Sequence, residues 1–297
     1  MSEGKVILIT GITGFIANHI ALAFLDAEYA VKGTARTAAK AEDWIARFPA
    51  HKARFKYAVV PDMVVPGAFD EADNENDLLI PAINGTKNLL AANKNEPRIQ
   101  CVVFTSSLSA IFEPTVETGR PVVETESLTE RAFWDYIEKE KPVWAGSTIC
   151  PCDSFAPPIQ PLTSLSALNL STAFMWDIAN GKYKAGVPIM GSPFYVDARD
   201  IALAHVRAVE CDVAKGQRYL LIGEIYVLGH FVEVMNRHFP ELRDNLPPAD
   251  LLKAGQTSSK HDSTKATREL GVEYTSLEMM VVDTIRYILD IEKQLGA

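Results

Sequence analysis

Cysteine is scarce in this 297-residue chain. Its four residues, Cys101, Cys150, Cys152 and Cys211, are too few and too scattered for a disulfide framework, which points to a reducing, cytoplasmic setting. No run of about eighteen apolar residues occurs, so no membrane-spanning helix is expected. The opening MSEGKVILIT has neither a basic region nor a cleavage site, so a secretory signal is not expected either. Positive charge is also short: 29 Lys and Arg stand against 38 Asp and Glu, a formal net charge of −9. A surface of that sign repels phosphate backbones and anionic lipid, so neither nucleic acid nor a membrane is expected as a partner. The six histidines lack metal-ligand spacing, and Cys150-Pro-Cys152 has no second pair beside it, so no metal is expected. Repeats and low-complexity tracts are absent.

What the chain does have is apolar substance, 47% of its residues, in an alternating order. Val6-Ile7-Leu8-Ile9 reads as a strand, Thr10-Gly11 as a turn, and Phe15 to Leu25 as a helix. Strands follow at Ala30–Ala35 and 55–60, with a polar helix at 38–48 between them. Further on come a helix near 77–94, a strand at Cys101–Thr105, a helix near 128–141 and a short strand around 147–149. Strands alternating with helices of ten to fifteen residues predict a Rossmann-type doubly wound α/β fold with a parallel sheet. From Pro151 the texture changes to a proline-rich loop and an irregular Ser/Leu-rich stretch. After these come strand-like runs at 193–196 and 218–222 and helices at 199–210, 229–238, 263–270 and 276–289. We therefore expect a nucleotide-binding domain over residues 1–150 and a smaller C-terminal substrate lobe over 151–297, partly packed back on the sheet.

The segment Gly11-Ile-Thr-Gly14-Phe-Ile-Ala17 follows a strand and opens a helix, the context that makes a glycine pattern a dinucleotide signal. Gly11 suits the tight turn. Gly14 lets the backbone approach a pyrophosphate at the helix N-terminus, and Ala17 allows close packing of helix on strand. Thr10, Gly11, Thr13, Gly14, Phe15 and Ile16 are accordingly assigned to the cofactor. After the second strand, Gly33-Thr-Ala-Arg36-Thr-Ala-Ala-Lys40 holds no acid until Glu42. A guanidinium suits a 2′-phosphate better than a 2′-hydroxyl, so Arg36 and Lys40 predict NADP(H) rather than NAD(H). Asp62 and Met63, after the third strand, stand where an adenine edge and face would sit.

Together with Leu79-Ile-Pro-Ala-Ile-Asn-Gly-Thr86, Val102-Val-Phe-Thr-Ser-Ser107 and Tyr195-Val-Asp-Ala-Arg-Asp-Ile-Ala-Leu-Ala-His205, these motifs resemble the extended short-chain dehydrogenase/reductases. The nearest branch is that of the fungal aldehyde, ketone and methylglyoxal reductases, related to plant dihydroflavonol reductases. The resemblance implies NADPH-dependent reduction of a small-molecule aldehyde or ketone by a Ser, Tyr and Lys trio, in a monomer or homodimer. Ser107 matches the family serine, and Pro151 matches the proline that borders the cofactor. Asp197 and Arg199 fall in a motif that anchors the C-terminal lobe, and His19 reads as a packing group.

Two features of that family are missing. None of the nine tyrosines has a lysine four residues on, and Tyr136, with Lys139 and Lys141 nearby, reads as a packing residue on a helix with a solvated end. Between the third strand and the helix near residue 77, no strand longer than Met63 to Val65 can be found. The family carries there a strand and a His-x-Ala-Ser type loop. The chain is about forty residues short of that branch, with the deficits near Ala72 to Asn74 and near Thr125 to Thr129. The absent strand should lie beside the first, and its loss should open the middle of the sheet. Either the sheet re-pairs around the shortage, or the functional polypeptide carries stretches that this chain lacks. A silent NADP(H)-binding protein and a non-redox isomerase or cyclase are the alternative functions this leaves open.

Overall fold

The computed structural model describes residues 5–61, 80–94, 97–111, 121–186, 193–248 and 261–296. Apolar β-branched runs form the first sheet: β1 (Val6–Ile9), β2 (Ala30–Ala35) and β3 (Phe55–Val59), all parallel, in the order β1-β2-β3. Their crossovers carry α1 (Phe15–Asp26) and α2 (Ala38–Ala46), whose apolar sides bury Phe24, Leu25 and Trp44 against the strands.

A second parallel sheet joins β4 (Cys101–Thr105), β5 (Ala145–Pro151) and β8 (Arg218–Leu221) in that order. Helix α3 (Ile80–Lys94) packs on α4 (Pro121–Glu140) beside this sheet. Helix α6 (Ala198–Glu210) lies along α1 and also packs on β4 and β5, so it joins the two parallel halves across one face. The α/β class and parallel strands are those expected. Among the described residues, however, no strand bridges β1 and β4, and the two halves form separate sheets.

The C-terminal lobe has a third, mixed sheet. In it β6 (Asp153–Phe155) pairs in parallel with β7 (Phe194–Asp197), and β9 (Glu224–Ile225) pairs antiparallel. Around it α5 (Leu170–Ala179), α7 (Leu228–His238) and α9 (Leu277–Leu295) bury Phe155, Met175, Tyr226, Phe231 and Ile285 in one cluster. A short α8 (Thr264–Leu270) packs on β8.

Three element expectations are corrected. The stretch taken as irregular contains α5, whose run Leu170-Ser-Thr-Ala-Phe-Met-Trp is apolar around much of its circumference and so shows no amphipathic stripe. The helix expected from residue 128 starts at Pro121, a residue suited to the first helical position because its missing N–H would be unpaired there anyway. It therefore runs unbroken through Thr125 to Thr129. The proline-rich loop includes β6, which the sequence disguises because only its three residues pair.

Candidate active site

The turn after β1 is built by backbone demands. Gly11 has φ +65°, a left-handed conformation that a side chain disfavours. Its N–H donates to Thr34 Oγ1 at 3.0 Å, and the Ile12 N–H donates to the Thr34 carbonyl at 2.9 Å, so the end of β2 pins the turn. A Cβ on Gly33 would meet Ile12 Cβ at 2.8 Å, which explains glycine inside that strand. Gly14 is the N-cap of α1, and no side chain caps the helix. Its first-turn N–H groups are thus available to an anion, favoured also by the helix dipole. Thr10, Thr13, Phe15 and Ile16 surround the turn, partly exposed.

Arg36 leaves the end of β2, and Lys40 lies in the first turn of α2, where Thr37 Oγ1 accepts from its backbone N–H at 3.4 Å. Both side chains are exposed, and among the described residues neither has an ionic or hydrogen-bonded partner. Two unpaired cations near an uncapped helix start fit a dinucleotide that carries a 2′-phosphate. Asp62 and Met63 lie outside the described residues.

Ser107 follows β4 and caps a 3-10 turn at Leu108–Ala110: its Oγ accepts from the Ser109 N–H at 3.1 Å. Its own O–H has no acceptor among the described residues and is free to be donated. Pro151 ends β5. Thr10, Gly14, Phe15, Ile16, Ser107 and Pro151 line a single cavity of about 2040 Å³, so the residues assigned to cofactor and catalysis converge. Arg36 and Lys40 are not among its lining residues, nor are Gly11 and Thr13.

Behind Ser107 stand two groups that the sequence reading missed. Glu130 of α4 is 1% exposed. It accepts from Ser106 Oγ at 2.5 Å, Arg218 Nε at 2.6 Å, Trp134 Nε1 at 3.0 Å and Thr148 Oγ1 at 3.1 Å. Burial pushes its carboxyl up, but the hydrogen bonds from Ser106, Trp134 and Arg218 and the Arg218 charge together outweigh it and hold the group below the ordinary carboxylate value. The signal was a lone charge in line with Phe133 and Ile137, three and seven residues on. His205, fully buried, is driven by burial down to about 4 and is therefore neutral at pH 7. Its Nδ1 donates to the Ile201 carbonyl at 2.8 Å, which leaves Nε2 to accept from Thr105 Oγ1 at 2.8 Å. Glu130 and His205 thus fix the residues on either side of the β4 terminus that delivers Ser107.

The remaining candidates are structural. His19 donates to the Pro157 carbonyl at 3.1 Å, and burial lowers it to about 4. Arg199 binds Asp197 with two nitrogens, at 2.7 and 2.9 Å, and reaches Asp283 on α9 at 2.6 Å. Asp200 accepts from Thr275 N–H and Oγ1 at 2.9 and 2.8 Å, and burial raises it to about 6. Tyr136 donates to the Leu90 carbonyl at 3.1 Å and stacks on Trp144, a packing role. All four cysteines are free thiols, and burial pushes Cys150 up to about 12, so it is no nucleophile. Among the described residues no three His, Cys, Asp or Glu side chains are grouped so as to hold a metal ion.

No protein-family model matches the chain. It is 34% identical to ketoreductase azaE of Aspergillus niger over 337 aligned positions, which cover 97% of this chain and 99% of that protein. The crystal structure of the yeast methylglyoxal/isovaleraldehyde reductase Gre2 with NADPH superposes with a TM-score of 0.86 at 25% identity. That match covers 98% of this chain and 100% of the other. Gre2 of Candida albicans in complex with NADPH matches at 30% identity and a TM-score of 0.82, over 96% and 98%. In the first comparison 97% of this chain is about 288 residues, so about 49 of the 337 aligned positions have no counterpart here.

Proposed function

From the premise that the chain belongs to the extended short-chain dehydrogenase/reductases, in the branch of the fungal methylglyoxal reductases and ketoreductases, we propose how its residues divide the work. The protein is an NADPH-dependent carbonyl reductase that converts an aldehyde or ketone to an alcohol. NADPH, when bound, supplies the hydride. Thr10, Gly11, Thr13, Gly14, Phe15 and Ile16 receive its pyrophosphate side at the start of α1, Arg36 and Lys40 take the 2′-phosphate, and Pro151 borders the nicotinamide end. Asp62 and Met63 are proposed to flank the adenine.

Ser107 donates a hydrogen bond through its O–H to the substrate carbonyl, which polarises the carbon toward hydride attack and stabilises the alkoxide that forms, and solvent water supplies the proton that completes the alcohol. The observation that carries this reading is that a serine with an uncommitted proton shares one cavity with an uncapped glycine turn. With no Tyr-x-x-x-Lys in the sequence, Ser107 is the member of the expected trio that the chain supplies. Residues 1–150 form the cofactor domain and 151–297 the substrate lobe, whose apolar core favours a small or hydrophobic substrate. Four free thiols support a cytoplasmic location.

NADPH consumption across a panel of small aldehydes and ketones tests the activity. Ser107→Ala should lower kcat on the order of 100-fold, the usual cost of one oxyanion donor. Arg36→Glu should weaken NADPH binding on the order of 100-fold and NADH binding little, since charge-assisted bonds to the phosphate are lost. Equal losses for both cofactors would sink the 2′-phosphate assignment.

A further inference from the structure

The cavity that holds Ser107 is lined on its other side by the C-terminal lobe, and the side chains there are polar although the core behind them is not. Asp153, Ser154, Asn169 and Ser171 line it together with Ser107 and Pro151. Both hydroxyl protons of this wall are committed inside it. Ser154 Oγ donates to the Cys152 carbonyl at 2.9 Å. Ser171 Oγ donates to the Ser154 carbonyl at 2.5 Å and accepts from Asn169 Nδ2 at 2.8 Å. What the wall retains for a ligand is the Asp153 carboxylate, which only accepts hydrogen bonds.

Strand geometry sets where that carboxylate stands. Asp153 and Phe155 are two residues apart on β6 and so share a face. On that face Phe155 meets the Tyr226 ring edge-on at 6.2 Å, and after burial the Asp153 charge is the strongest influence pushing the Tyr226 hydroxyl up. Asp153, itself partly exposed, therefore lies where the apolar core of the lobe opens into the cavity. Ser107 is close by. The Ser106 N–H donates to the Ile149 carbonyl at 2.7 Å, so β4 and β5 stay paired up to the residue before Ser107. Ser107 and Pro151 then leave neighbouring strands about 5 Å apart, and Asp153 follows Pro151 by two residues, which puts the Ser107 and Asp153 backbones about 8 Å from each other. A molecule of a few carbons spans the two side chains.

Resting on the carbonyl-reductase reading, we propose that Asp153 is a specificity-determining residue: it accepts a hydrogen bond from an O–H or N–H group beside the carbonyl that Ser107 polarises, so the preferred substrates are small hydroxy- or amino-carbonyl compounds. The two ends of such a molecule match the two sides of the cavity, an acceptor oxygen for the Ser107 donor and a donor for the Asp153 acceptor. A carboxylate has about four lone-pair sites, so it serves a substrate while keeping other bonds. The same charge disfavours a substrate with a carboxylate of its own, through like-charge repulsion in a partly desolvated site. An ether or alkyl group at that end leaves the carboxylate desolvated without a donor, which costs affinity.

NADPH-linked reduction of hydroxyacetone and methoxyacetone tests this, because an oxygen beside the carbonyl activates both ketones and only the first has an O–H. The protein should favour hydroxyacetone on the order of 10-fold in kcat/KM, the size of one charge-assisted hydrogen bond, and pyruvate should be the poorest of the three. Asp153→Leu should abolish the preference, chiefly through KM, and should raise pyruvate relative to hydroxyacetone. Asp153→Asn, which keeps an acceptor, should retain part of the preference. NADPH affinity should be equal in all three proteins, which separates a change of selectivity from a loss of fold. Equal kcat/KM for the two ketones, or a preference that survives Asp153→Leu, overturns the proposal. Calorimetric titration of the NADP+-loaded protein with propylene glycol and its methyl ether gives the same comparison without turnover. Preferential binding of the glycol that Asp153→Leu removes, in a protein that reduces neither ketone, would end the reductase reading and leave the role of Asp153 standing. Indifference to the two alcohols would end the role of Asp153 whether or not ketones are reduced.

Discussion

Strands β1 and β2 are neighbours of similar apolar character, yet Val31 on β2 is 1% exposed and Val6 on β1 is 63% exposed. The difference lies in what surrounds them. β2 has a strand on each side, whereas among the described residues β1 has a strand on one side only. The C-terminal lobe repeats the lesson from the closed side: there Asp197, fully buried, is matched by Arg199, and Asp200 by Thr275. Burial belongs to neighbours rather than to residue type, and stability should be concentrated in the clamped lobe and the α1–α6 contact.

Acid should expose that concentration most strongly. His19 and His205 are depressed from 6.5 to about 4 in the fold, so the unfolded chain binds protons first and stability is lost as pH falls from 6.5 to 4. Asp200, raised from 3.8 to about 6, acts oppositely: the fold holds its proton more tightly, so its contribution favours the folded state as pH falls from 6 to 4. The net loss is on the order of 4 kcal/mol, read from urea midpoints across that range. In His205→Gln one histidine and one aspartate oppose each other, and the slope between pH 4 and 6 should nearly vanish.

Arg199→Met should cost about 3 kcal/mol in urea unfolding, because it strands the buried Asp197 carboxylate. A loss under about 1 kcal/mol would mean that the lobe is held no more firmly than the exposed edge of β1. The smallest test compares the strands directly. Val31→Thr buries a hydroxyl without a partner and should cost about 1.5 kcal/mol, while Leu8→Thr should stay within about 0.5 kcal/mol. Similar costs at both positions would erase the contrast between closed and open strands.

Much of the fold was legible because its signals are local. Ala30–Ala35 and Cys101–Thr105 are strands at the predicted bounds, and the glycine turn opens α1 as expected. Helix α5 was not legible, since uniform apolarity hides a helical period. Ser107 and the turn could be named from motifs, but Glu130 and His205 could not: a carboxylate and an imidazole acquire their roles from partners 24 and 100 residues away.

The chain's own order of residues determined most of the elements, the glycine turn that opens α1, the cations at Arg36 and Lys40 and the lack of a Tyr-x-x-x-Lys, because each depends on near neighbours or composition alone. Tertiary structure decided which charges are buried and satisfied, that among the described residues Ser107 keeps an uncommitted proton in the same cavity as the turn, and that β1 and β4 belong to separate sheets there. Those outcomes depend on segments far apart in sequence, since only packing can desolvate a carboxylate or leave a strand edge without a partner.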